Sequence, residues 1–432
     1  MRPRAARLPT PLRGGGREGS WTRPLGPRAQ PLAVKTVATN WPPSPYRPGN
    51  GIDPPYLGDR EEQIEAVRGF LRNPRHPRNV LITGLRGVGK TVLLNRIQGE
   101  AESAGWIVVD REFSESDADP HAFANAVLTD VNRALRRLSL STRLKDKAGQ
   151  MLQAAIDLVG ALTVSYGEFK VSVDPKRRRG EPQRRLDDDL REALVHICEL
   201  CLKSEYKGLV LRYDEFHVVR EKPGDLTLSA LLTATSAVQQ RSLPMMLMLC
   251  GLPPVVDNLS RSKSYSERMF ATQELGNLRT PEDRAALVDP AVRLGRRYAD
   301  EVVDAVMADS GGYPFFIQVY GDALWTGSQG ETIGMVDLRR LRPRILATLD
   351  AGFFRARYVR ASPHERLLMR DIAKFGESAT IEQMQQASGK RNNEIQPTVS
   401  ALIQKGLVYR PERARIAFTA PMFGAFLLRT TA

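Results

Sequence analysis

Cysteine is scarce, at three in 432 residues. That excludes a disulfide scaffold and fits a reducing cytoplasm. Long apolar runs are missing too. The longest candidate, Pro244 to Val256, is 13 residues with prolines inside it, short of the ~18 that a membrane span needs. It reads as a buried strand running into a turn, and no membrane partner is expected. Acids are nearly absent from residues 1–50, which hold nine Lys and Arg against Glu18 alone, together with 10 of the 29 prolines. Such a segment lacks the apolar content to offset the entropy of ordering, so a disordered basic arm over 1–50 is expected. No apolar stretch follows its basic start, which excludes a secretory signal. Its prolines and Gly14-Gly15-Gly16 break the amphipathic helix of a mitochondrial presequence. Three readings of the arm stand: a contact with nucleic acid, a solvated tail without a role, or sequence upstream of the native start.

The rest is ordinary globular material, 42% hydrophobic and 26% charged over the chain. At roughly 100–200 residues per domain, the length suggests two to four domains. The net charge of +14 is uneven: +8 lies in the arm, +4 in residues 363–432 and +2 between them. Whole-chain charge is therefore a weak argument for a nucleic-acid partner.

Strands are expected at Asn79–Gly84, Trp106–Asp110, Leu209–Tyr213 and Met245–Cys250, with helices at Lys90–Ala104, His121–Leu138, Leu186–Ser204 and Leu226–Gln240. Strands alternating with helices imply a parallel sheet flanked by helices. Leu162 to Val173 alternates around Gly167 and suggests a hairpin, followed by a basic loop from Lys176 to Arg185. From Pro281 to about Asp350 the pattern is helical only, and a small α/β unit follows Ser362. No internal repeat is visible.

The chemistry begins after the first strand. Gly84-Leu85-Arg86-Gly87-Val88-Gly89-Lys90-Thr91 fits G-x-x-x-x-G-K-[ST] at every fixed position. Glycines let the backbone wrap a phosphate, and the following helix N-terminus adds a partial positive charge. In that pattern Gly84, Gly87, Val88, Gly89 and Val92 form the cradle, Lys90 reaches the β- and γ-phosphates, and Thr91 offers a hydroxyl to Mg²⁺. A second acid is needed at another strand end. Leu209 to Glu215 supplies Asp214 for the metal and Glu215 to orient or deprotonate the attacking water. Arg212 departs from the pattern, since charge is rare inside such a strand.

The P-loop and Asp214-Glu215 resemble the AAA+ and STAND ATPases, in particular the origin-recognition or replication-initiator branch and bacterial ATP-binding proteins like it. Pro55 to Glu61 (PYLGDRE) is similar to the motif ahead of the P-loop. Gly251-Leu252-Pro253 and then Ser264 to Phe270 (SYSERMF) resemble the segment holding a family arginine. Gly311 to Phe316 (GGYPFF) resembles a lid element. The resemblance covers about residues 51–430. It implies an α/β P-loop sheet domain over 51–278, a helical lid over 279–361 and a winged helix-turn-helix over 362–432. It implies ATP and Mg²⁺ as cofactors, with Tyr56, Leu57 and Pro314 against the base and Lys90 and Glu215 as catalytic groups. Arg268 would be a trans-acting arginine within a homo-oligomer, or else a local ion-pair partner of Glu267. ATP over GTP rests on the resemblance alone. Two departures bear on activity: Cys250 or Gly251 stands where a polar residue usually ends the fourth strand, and no lid arginine is evident. Slow hydrolysis or nucleotide-gated switching is therefore expected.

The last unit reads as helices at Pro363–Phe375, Thr380–Ala387 and Glu394–Gln404, then strands at Leu407–Arg410 and Arg415–Phe418 joined by a basic turn. Three helices and a β-hairpin resemble the C-terminal winged helix of initiator-like ATPases. On double-stranded DNA the third helix would enter the major groove. Asn392, Asn393, Gln396, Thr398 and Ser400 would bond bases or phosphates, while Lys390, Arg391, Arg410, Arg413 and Arg415 would neutralise phosphates. Winged helices also dock proteins, so a signalling or scaffold ATPase of STAND type is the alternative. A cytoplasmic location is expected, at the nucleoid if the partner is DNA. Cys198 and Cys201, Trp325, Phe315, Phe316 and Tyr320 read as core, and His217 as a strand-end residue.

Overall fold

The computed structural model describes residues 41–49, 51–141, 149–167, 186–221 and 227–430, with backbone alone at residues 158 and 161–167. The Lys176–Arg185 loop and most of the basic arm lie outside the described residues.

Five parallel strands form the central sheet: β1 (Asn79–Gly84), β2 (Ile107–Glu112), β3 (Leu209–Asp214), β4 (Met245–Gly251) and β5 (Phe270–Leu275), in the order β2-β3-β4-β1-β5. Every residue of β1, β3 and β4 is buried. Strands covered on both faces read as continuous apolar runs, which is why these three were legible. On one face Leu81, Leu211, Tyr213, Leu247 and Leu249 pack into the cluster formed with α3 (Pro120–Ser139), α4 (Gly149–Gly167), α5 (Leu186–Lys203) and α6 (Thr227–Gln240). On the other, Val80, Ile82, Val210 and Met248 meet α1 (Glu61–Leu71) and α2 (Lys90–Ser103). Arg212 belongs to this second face and donates to Asn95 Oδ1 of α2 at 2.5 Å. The two adjoining Cys198 and Cys201 are buried in α5.

Several expectations need correction. The hairpin proposed from Leu162 is helix as far as Gly167, because α4 runs unbroken from Gly149 and packs along α3 and α5; the remainder of that stretch is outside the described residues. Strand β5 was not anticipated. Its residues alternate between buried and exposed at the sheet edge, where the apolar run that marks an inner strand is absent. The helical-only reading of 281–350 misses one small ladder, β6 (Arg297–Tyr298) with β7 (Thr332–Ile333).

The expected arm is also shorter than 50 residues. Trp41 to Gly49 lies on the lid, where Tyr46 is buried and donates to Leu287 O. Trp325 Nε1 donates to Pro42 O at 3.0 Å, and the Arg296 guanidinium sits 5.1 and 4.9 Å from the Trp41 and Trp325 rings. Aromatic residues late in the arm thus supply the burial its prolines cannot.

The lid comprises α7 to α12 in part: after α7 (Pro254–Ser262) and α8 (Ser266–Met269) come α9 (Glu282–Val292), α10 (Asp300–Ser310), α11 (Pro314–Gly327) and α12 (Met335–Thr348). A π-helical turn, Leu349–Phe354, carries α12 straight into α13 (Arg355–Arg360). The last unit has α14 (Pro363–Ala373), α15 (Ile381–Ser388), α16 (Asn392–Gln404) and α17 (Phe423–Arg429) around an antiparallel sheet ordered β8-β10-β9, with β8 at Ser378–Thr380, β9 at Val408–Glu412 and β10 at Arg415–Phe418. Thr380 caps α15 as anticipated, its Oγ1 accepting from Gln383 N at 3.2 Å. Neither β8 nor α17 was foreseen. No helix among the described residues is long and apolar enough to cross a membrane.

Candidate functional site

The carboxyl ends of the sheet strands, where ligands of open α/β sheets bind, border a cavity of about 340 Å³. The P-loop residues Gly87 to Val92 line it, with Tyr56, Leu57, Pro314 and Glu215. Gly84 does not reach the cavity; it ends β1 at φ +150°, tight against the Leu275 carbonyl. Gly87 has φ +82°, and a Cβ there would run into the Tyr313 hydroxyl. That hydroxyl donates to Arg86 O at 2.5 Å, so the lid grips the P-loop through backbone. From the other side Arg60 donates to Val88 O at 3.2 Å and to Gly276 O at 3.1 Å. Tyr56 donates to Glu282 of the lid at 2.5 Å.

Thr91 Oγ1 donates to Asp214 Oδ2 at 2.9 Å, joining the start of α2 to the end of β3. A hydroxyl beside a carboxylate is the hard-oxygen pair that suits Mg²⁺. These two residues fit that ion, which with a nucleotide bound would neutralise phosphate charge. Lys90 Nζ donates to Leu85 O at 2.8 Å inside the same loop. Burial lowers the Lys90 pKa, with Cys250, Glu215 and Asp214 pulling the other way.

Glu215 takes φ +51°, an unusual conformation for a residue with a side chain, and one that turns its carboxylate into the cavity. There Glu215 Oε2 lies 3.8 Å from Arg86 Nη2 and 3.4 Å from His217 Nδ1. Burial raises the Glu215 pKa against the opposing pull of Arg86, a shift in the direction a proton acceptor needs. The same burial, with Arg86 and Lys90 adding to it, pushes His217 down to about 4. His217 is therefore a buried neutral group at the site, not the bland strand-end residue expected. Cys250 ends β4 fully buried, and burial pushes its thiol well up.

Arg268 is apart from this cluster. It is exposed on α8 and makes no ion pair among the described residues, including the one with Glu267. Sequence reasoning missed Arg86, Phe315, Gln318, Phe353 and Arg357, all of which line the cavity. Arg86 occupies a variable P-loop position, and the others belong to no motif; Phe315 had been assigned to core alone.

In the last unit Asn392, Asn393, Arg391, Arg410 and Arg413 are exposed, whereas Thr398 is buried and withdrawn from any partner. Gln396 accepts from Arg410 Nη2 at 2.5 Å and donates to Asn392 Oδ1 at 2.6 Å. Lys390 Nζ lies 3.2 Å from His364 Nε2. Arg415 donates to Ser378 Oγ at 3.2 Å and sits 3.9 Å from Glu412.

Comparison with known proteins agrees with this geometry. Residues 58–248 match the family model described as AAA ATPase domain, and residues 351–427 match one described as a domain of unknown function, DUF8462. The Walker-type ATPase of Pyrococcus abyssi superposes with a TM-score of 0.55 at 16% identity, covering 90% of this chain and 98% of that one. The Aeropyrum pernix ORC1 protein in complex with DNA gives 0.41 at 15% identity over 88% and 94%. A stretch of 54 residues is 43% identical to the chloroplastic ATP-dependent zinc metalloprotease FTSH 7 of Arabidopsis thaliana, and spans only 7% of that protein. With the P-loop, the strand order β2-β3-β4-β1-β5 and the family match on one segment, residues 58–248 are an AAA+ P-loop ATPase domain.

Proposed function

We propose that the chain is an ATP- and Mg²⁺-dependent switch with slow hydrolysis, whose C-terminal unit is a winged helix that binds duplex DNA. The observation that carries the nucleotide half is the Thr91–Asp214 contact at 2.9 Å, beside Glu215 and inside a Gly-rich cradle. Thr91 and Asp214 hold the metal, Lys90 meets the terminal phosphates, and Glu215 accepts the proton of the attacking water. Cys250 supports slow turnover, because a buried neutral thiol is a poor partner for a γ-phosphate or its water. The ATP preference and the origin-recognition branch rest on the resemblance of the sequence motifs. Oligomerisation through Arg268 belongs to the same reading, since an exposed guanidinium without an ion pair is free to enter a neighbour's site.

For the DNA half, the start of α16 presents Arg391, Asn392 and Asn393 to solvent, with Arg410 and Arg413 on the adjoining wing. That is the arrangement of a recognition helix with flanking phosphate contacts. A protein-docking role is the second reading, favoured by the ties of Arg410 to Gln396 and of Arg415 to Ser378, which occupy two of the basic side chains.

Two substitutions test the nucleotide site. Lys90→Ala is expected to abolish ATP binding in an equilibrium titration. Glu215→Gln should keep binding and reduce phosphate release at least ~100-fold, as loss of a general base does. Unchanged ATP affinity in Lys90→Ala would show that nucleotide does not bind at this loop.

A further inference from the structure

One guanidinium facing the cavity lacks an anion. Arg357, on α13, lines the same space as Gly87 to Thr91. Its Nε is buried without a partner, and its only hydrogen bond among the described residues is a long one, 3.4 Å from Nη1 to Phe353 O one turn back. The plane of the group lies against the Phe353 ring, with Cζ 3.5 Å from the centroid. Stacking of this kind fixes an arginine while leaving its in-plane N–H groups unspent. No carboxylate pairs with it among the described residues. Burial, with Arg86 and Arg360 adding to it against Tyr313, brings its pKa down to about 10, so it remains a cation at neutral pH. Arg86 is in a similar state, its Nε buried and unpartnered and its only ion pair the loose one to Glu215. Surplus positive charge in a phosphate-sized space is a demand for a polyanion.

The same arginines touch the C-terminal unit. Phe354, next to Phe353, stacks on Phe423 and Phe426 of α17 at 5.7 and 5.3 Å. Gly406, which ends α16 at φ +65°, packs so closely on the P-loop that a Cβ there would lie 2.9 Å from Leu252 Cδ1 and 3.2 Å from Arg86 Nε. A π-helical turn, which widens the backbone hydrogen-bond ladder and is frequent at functional sites, carries Arg357 between these two contacts.

We infer that Arg357 binds the terminal phosphate of a nucleoside triphosphate and, through the continuous helix it sits on, couples occupancy of that phosphate to the seating of the C-terminal unit on Arg86. The inference rests on the nucleotide-site reading above. It differs from that reading in assigning triphosphate selectivity to a residue outside every motif, on the helix that enters the C-terminal unit.

The test is an equilibrium titration of the full chain with a fluorescent non-hydrolysable ATP analogue and with fluorescent ADP. Arg357→Ala is expected to weaken the analogue about tenfold or more, as loss of a charge-assisted hydrogen bond does, and ADP less than twofold. Arg357→Lys should recover part of the difference, and it serves alone if the alanine variant does not fold. Arg355→Ala, exposed on the same helix, should bind as wild type. Hydrogen exchange provides the coupling readout: the analogue should change protection across residues 404–408 in wild type and leave it unchanged in Arg357→Ala. Equal losses for both nucleotides, or none, overturn the selectivity. An exchange response that survives in Arg357→Ala overturns the coupling. A wild type that binds neither nucleotide overturns the site itself, which separates the two claims.

Discussion

Glu215 has two neighbours of different kinds, and the difference matters for how it takes a proton. Arg86 stabilises its anion, while His217, buried and neutral, adds no charge. The His217 shift has a thermodynamic consequence. Its pKa is depressed in the fold from 6.5 to about 4, so between these values the unfolded chain binds the extra proton. Stability due to this group is whole above pH 6.5 and declines as the pH falls toward 4. NMR titration of the imidazole should give a midpoint near 4, and a His217→Asn variant should lose less stability over that interval. An imidazole midpoint near 6.5 would place His217 in solvent. At this scale the sequence was readable wherever chemistry demands a motif: Gly87, Lys90, Thr91, Asp214 and Glu215 converge as expected. Arg86, His217 and Arg357 were not readable, because their roles come from what the fold brings against them across up to a few hundred residues.

At the scale of elements, legibility followed burial. The inner strands announce themselves because both faces are covered, whereas β5, half exposed at the edge, carries no continuous apolar run. Alternation over Leu162 to Gly167 looked like a strand, yet the helix begun at Gly149 prevails there, since packing against α3 and α5 outweighs the short period-two pattern. Capping chemistry was a firmer guide. Thr380 bonds Gln383 N, and Gln383 Oε1 accepts from Thr380 N at 2.8 Å, a reciprocal box that satisfies two free donors. Thr380→Ala should lower the local opening free energy of α15 by about 1 kcal/mol. Amide hydrogen exchange of residues 381–388 would measure it, and unchanged exchange would mean that packing alone holds this helix.

Over the whole molecule, the C-terminal unit is not an appendage on a tether. It meets the P-loop at Gly406 and the lid through Pro421, whose Cγ would lie 3.5 Å from a Cβ on Gly311. A nucleotide entering the cavity acts on groups that already touch this unit, which is what a two-state switch requires. The exposed start of α16 and the wing point away from those contacts in chain position, since Gly406 lies at the other end of the helix. DNA and nucleotide can then be linked without competing for one surface. The most direct measurement is a titration of the full chain with fluorescent duplex DNA over a salt series, with and without a non-hydrolysable ATP analogue. The account predicts binding that weakens steeply as salt rises and an affinity that shifts several-fold when the analogue is present. No binding to any duplex in either nucleotide state would contradict it.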